Sequence, residues 1–79
     1  MKILYLATAG AADPTRASIP LHIAANGSVA EGHECAVALL GDATELVARE
    51  QAERVKGIGI PPATELVQKL LDNRVPVYV

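Results

Sequence analysis

The residue types that could do chemistry fall in two short loops, at 8–16 and 41–42, and at three isolated positions, His22, His33 and Cys35. In the first loop Thr8-Ala-Gly-Ala-Ala-Asp13 runs directly into Pro14-Thr15-Arg16. Asp is a good helix N-cap and Pro suits the first helical position, so a helix is predicted to start at Pro14. A helix N-terminus favours negative charge, and Arg16 beside it could hold a small anion. The plainer reading is that Asp13 only caps the helix and Arg16 is solvated. The loop has neither the G-x-G-x-x-G spacing nor the Lys of a phosphate-binding loop, which speaks against a flavodoxin-like nucleotide binder. Gly57 and Gly59 suit a tight loop before Pro61-Pro62 rather than a phosphate cradle.

Cys35 is the only cysteine, so no intrachain disulfide framework exists. Sulfur chemistry needs a thiolate, and a thiolate needs exposure or a nearby positive charge. Cys35 stands inside the apolar run Cys35-Ala-Val-Ala-Leu-Leu40, so a buried, inert thiol is expected. His22 falls on the first helix and His33 at the start of the second strand. Ligands of open α/β sheets gather at the carboxyl ends of the strands, so His33 enters at the wrong end and both imidazoles read as structural. Two His and one Cys without close spacing make no metal site, and nothing implies a cofactor.

Three strands and three helices must position these groups. The opening run, Lys2 to Thr8, is short and nearly continuously apolar, as in a strand buried on both faces of a parallel sheet. The first helix is predicted from about Pro14 to Ala30, with Ile19 and Ile23 four apart and Leu21 and the alanines widening its apolar face. Pro20 conflicts with a regular helix. Either the helix kinks there, or 13–16 form a separate turn and Ser18 caps a helix from Ile19; a helix with an irregular first turn is favoured. Gly32 allows the chain to reverse. The second strand is His33 to Leu40. Gly41-Asp42 follows, and Asp42 three residues before Glu45 resembles a capping box opening a helix from about Ala43 to Ala48, extendable to Glu53. The stretch 49–56 reads as a solvated helix end and loop. Pro61-Pro62 opens a third helix to about Asp72, with Leu66, Val67, Leu70 and Leu71 on one face and Asn73 as its stop. The third strand is Val75 to Val79. The order β-α-β-α-α-β predicts a three-layer α/β/α domain with a parallel sheet, and right-handed crossovers are expected to place the first strand centrally. A third strand that is an exposed apolar edge is unusual, so the chain is expected either to be part of a longer one or to have that edge covered by a partner.

The 79 residues suffice for one small domain. Half the sequence is hydrophobic (51%), but it is Ala, Val, Leu and Ile, with two Tyr and no Phe or Trp, so the aromatic platforms that stack single-stranded nucleic acid are missing. Net charge is −2 and the seven Lys and Arg are scattered, which argues against nucleic acid. No apolar run approaches the roughly 20 residues of a membrane span, and the N-terminus has no signal-peptide pattern, so a cytoplasmic location is expected.

Four segments resemble the DsrE/DsrF-like family, small α/β proteins of sulfur relay. They are Ala7-Thr8-Ala9-Gly10 with Asp13-Pro-Thr-Arg-Ala17, Gly32-His33-Glu34, Ala38-Leu-Leu-Gly-Asp-Ala43 and Gly57-Ile-Gly-Ile-Pro-Pro62; Val75-Pro-Val-Tyr-Val79 fits the same pattern. The resemblance implies a parallel sheet flanked by helices and a domain of about 110 residues, hence a chain lacking its C-terminal part. It implies homo-oligomers, trimers or hexamers, or assemblies of related subunits, with a sulfur-carrier protein as a further partner. Its activity would be intracellular sulfur transfer or thiol redox relay. The family's persulfide-carrying Cys commonly follows the strand matching 75–79, outside this sequence, so no catalytic residue carries over. Thr8, Gly10, Asp13, Thr15, Arg16, Gly41 and Asp42 carry over as the lining of a binding pocket. The alternative is a non-catalytic subunit that binds a small anion or a partner through the strand-end loops.

Overall fold

The opening apolar run pairs in parallel with the second, from Lys2↔Glu34 to Ala7↔Leu39, and this register builds the sheet. A computed structural model describes residues 2–79. Its order is β1 (Lys2–Ala7), α1 (Pro14–Ile23), a π-helical turn (Ala24–Ser28), β2 (Glu34–Leu39), a 3-10 helix (Gly41–Val47), α2 (Arg49–Ala52), α3 (Ala63–Asp72) and β3 (Val77–Tyr78). The α/β class with a parallel sheet stands as expected.

The strand order does not follow the expectation. It is β1-β2-β3, so β2 is central and β1 lies at an edge. Right-handedness constrains each crossover but not the direction of the second step across the sheet. Here both crossovers step the same way. Crossovers of one hand and one direction fall on one face, so the described residues form two layers and not the expected three. Odd-numbered residues face the helices: Ala7, Cys35, Val37 and Leu39 are buried, with Ile3, Tyr5 and Val77 packed against the same core. Leu4, Leu6 and Tyr78 alternate with them and are each 60% exposed.

The helices show where local signals hold. Asp13 caps α1, its Oδ1 accepting the Arg16 N–H at 3.2 Å, and Pro14 occupies the first turn. The helical path runs through Pro20 without a separate first turn. The irregularity lies later, in the π-helical turn, where Val29 N–H donates to the Ala24 carbonyl at 3.1 Å. The buried side of α1 is Ala17, Ser18 and Leu21, so Leu21 and an alanine pack as expected, while Ile19 and Ile23 are 44% and 46% exposed, against the expectation. Small residues let α1 approach its neighbours closely. Buried Ser18 returns its hydroxyl to the Pro14 carbonyl at 2.7 Å, so it carries no unmet hydrogen bond.

The expected second helix is two pieces, the 3-10 helix and α2, broken by the extended backbone of Ala48. No capping box forms: Leu40 stands at the cap, and no side chain caps the first turn. α3 starts after Pro62 and buries Leu66 and Leu70, with Val67 half-buried; Leu71 is 56% exposed. Asn73 ends it, its side-chain amide donating to the Lys69 carbonyl at 2.8 Å, and Arg74 takes a left-handed φ of 58°. β3 is shorter than the expected 75–79. Val75 N–H is spent on the Leu70 carbonyl, and Pro76 has no N–H to give. Pro76 still accepts the Val37 N–H at 2.9 Å.

Candidate functional site

The carboxyl ends of β1 and β2 bring two loops together. Leu40 N–H donates to the Ala7 carbonyl at 2.9 Å, which extends the ladder to the point where both chains leave the sheet. Gly41 turns away with φ +56°, a conformation L side chains adopt rarely, and a Cβ there would sit 3.9 Å from the Thr8 carbonyl oxygen. Gly10 is buried beneath the second loop: a Cβ on it would collide with the Asp42 carbonyl oxygen and lie 2.9 Å from Glu45 Oε2. Thr8, Gly10, Gly41 and Asp42 are thus neighbours, and glycine at position 10 is what allows the approach.

Glu45 joins them. Its Oε2 accepts the Ala11 N–H at 3.1 Å, across 34 positions of sequence. This carboxylate, read from spacing as half of a capping box, instead fills an N–H donor of the first loop. The signal in the sequence was ambiguous because an acidic residue in a helix's first turn serves local and distant donors alike.

Asp13 and Arg16 form their own pair, with Arg16 Nε 3.7 Å from Asp13 Oδ2. Both side chains are largely exposed, so the pair is weak and the guanidinium is free to reach outward. Thr8 and Arg16 line a shallow groove of about 290 Å3 beside the β1 edge, with Leu6, Ile19, Pro20 and Ile23. Thr15 points elsewhere: its Oγ1 accepts the Ile58 N–H at 3.1 Å, and a Cβ on Gly57 would lie 3.0 Å from Thr15 Cα. The second glycine loop is therefore tied to α1, with Gly59 (φ +72°) turning the chain toward Pro61-Pro62. Asp13, Asp42 and Glu45 outnumber Arg16 around these loops. Among the described residues no cluster of His, Cys, Asp and Glu could hold a metal ion.

The one thiol is remote from this end. Cys35 is the second residue of β2, 7% exposed, at the amino end of the sheet. Burial pushes its thiol above the ordinary value of 9.0. It lies in the wall of an open cleft of about 760 Å3 with Lys2, His33, Glu34, Arg74 and Tyr78. His33 is exposed there, and His22, on α1, takes the Asn26 side-chain amide on Nδ1 at 3.0 Å. Neither imidazole is at the strand-end loops. Those loops contain no cysteine and no histidine; their titratable groups are the carboxylates and Arg16.

The whole sequence, residues 1–79, matches the family model of the DsrE/DsrF-like family. The chain belongs to that family. Searches of curated proteins and of solved structures return no match. In this DsrE/DsrF-like chain the strand-end loops lie at the carboxyl ends of a parallel sheet, where open α/β sheets place their ligands. No helix among the described residues is long and apolar enough to cross a membrane.

Proposed function

We propose that this DsrE/DsrF-like chain acts in intracellular sulfur transfer or thiol redox relay, as an oligomer and with a sulfur-carrier protein as a partner. The observation that carries the reading is the family match along the entire sequence. The convergence of the loops around Gly10 and Gly41 supports a ligand position at the strand ends. The oligomeric part is supported by Leu4, Leu6 and Tyr78, which leave an apolar sheet face open. In such a relay an acceptor thiolate attacks the outer sulfur of a donor persulfide, one S–S bond forms as another breaks, and the donor leaves as a thiolate. Cys35 is ill suited to that attack, because it is buried and its proton is held more tightly than that of a free thiol. The protein, incubated with a low-molecular-weight persulfide and weighed intact, is expected to gain sulfur that reductant removes, and Cys35→Ser, which removes the one thiol of this sequence, shows whether Cys35 carries it. No gain of sulfur on any thiol overturns the reading.

A second reading is favoured by the chemistry of the loops themselves. They offer an exposed Arg16 but no cysteine or histidine, which suits a non-catalytic subunit that holds a small anion or a partner. Sulfate, thiosulfate or phosphate would then raise the melting temperature, and Arg16→Ala would remove that effect. Equal stabilisation of both proteins counts against Arg16.

A further inference from the structure

We draw no further inference here: the strongest candidate, the uncovered sheet face formed by Leu4, Leu6, Ala36, Ala38 and Tyr78, carries nothing because nothing in the structure shows what covers it.

Discussion

The two faces of the sheet are built from the same three strands and meet different fates. On one face Ala7, Cys35, Val37 and Leu39 are at most 7% exposed beneath the helices. On the other, Leu4, Leu6 and Tyr78 are 60% exposed. The residue types are alike, so composition does not distinguish them. In an antiparallel sheet with one wet face the solvent side turns polar, whereas strands of a parallel sheet stay apolar throughout. Both faces here keep the parallel-sheet character, and only the direction of the crossovers leaves one of them bare. Apolar pattern thus reports what a strand is suited to, and chain connectivity decides whether that suitability is used.

The largest test places a charge on each face. Val37→Asp buries a carboxylate at a position with no exposure, and a loss above about 4 kcal/mol is expected, enough to unfold a domain of this size. Leu6→Asp, on the neighbouring strand but the open face, is expected to change the stability of the separated chain by less than about 1 kcal/mol, and to cost more where the proposed oligomer covers that face. Circular dichroism with urea titration reads both; equal losses would mean the open face is covered in solution.

Truncations in α3 sharpen the contrast at smaller amplitude. Leu66→Ala removes a side chain 1% exposed and is expected to cost about 2–5 kcal/mol. Leu71→Ala, on the exposed side of the same helix, should cost well under about 1 kcal/mol. Comparable urea midpoints for the two variants would overturn the assigned helix face.

Tyr5 contributes a polar contact on the covered face. Its hydroxyl is 2.5 Å from Ser28 Oγ, and Ser28 is 4% exposed. Tyr5→Phe leaves that serine without its partner and is expected to cost about 1 kcal/mol. The Tyr5→Phe/Ser28→Ala double variant should recover part of the loss, and strict additivity of the two would show that the bond contributes nothing.

The smallest effect is a pH dependence. Cys35 holds its proton more tightly when folded than when unfolded, because burial disfavours the thiolate. Its contribution is therefore fully present below the unfolded-state value and is lost as pH rises through the higher folded one, the unfolded state releasing its proton first. Stability should fall above about pH 9 more steeply in the native sequence than in Cys35→Ala. A thiol reagent should label Cys35 faster in urea than in buffer at equal pH; equal rates would show the thiol to be open to solvent in the folded protein.

Several features were legible from neighbours in sequence. Asp13-Pro14 announced the start of α1, Pro61-Pro62 that of α3, and Asn73 its end, because caps and prolines act within one turn of the backbone they govern. The two apolar runs that became β1 and β2 were readable for the same reason, and the burial of Cys35 followed from its place in the second. The geometry of the candidate loops was half legible. Thr8, Gly10, Gly41 and Asp42 do meet, and Asp13 pairs with Arg16, but Thr15 turns to the Ile58 backbone and Glu45 arrives unannounced at Ala11. On α1 Leu21 and Ala17 pack as read, but Ile19 and Ile23 do not: the side that packs is centred on Ala17, Ser18 and Leu21, and the two isoleucines fall outside it.

What the sequence determined by itself was the strands β1 and β2, the helices α1 and α3, their order and the backbone turns at the ends of the strands. These depend on dihedral preferences, on missing or misplaced N–H groups and on caps, all settled over a few residues. The tertiary structure alone decided that β2 is central, that one sheet face lies bare, and that Glu45 and Thr15 find partners 34 and 43 positions away. Those outcomes depend on the direction of each crossover and on which surfaces can approach most closely, and no local preference encodes either.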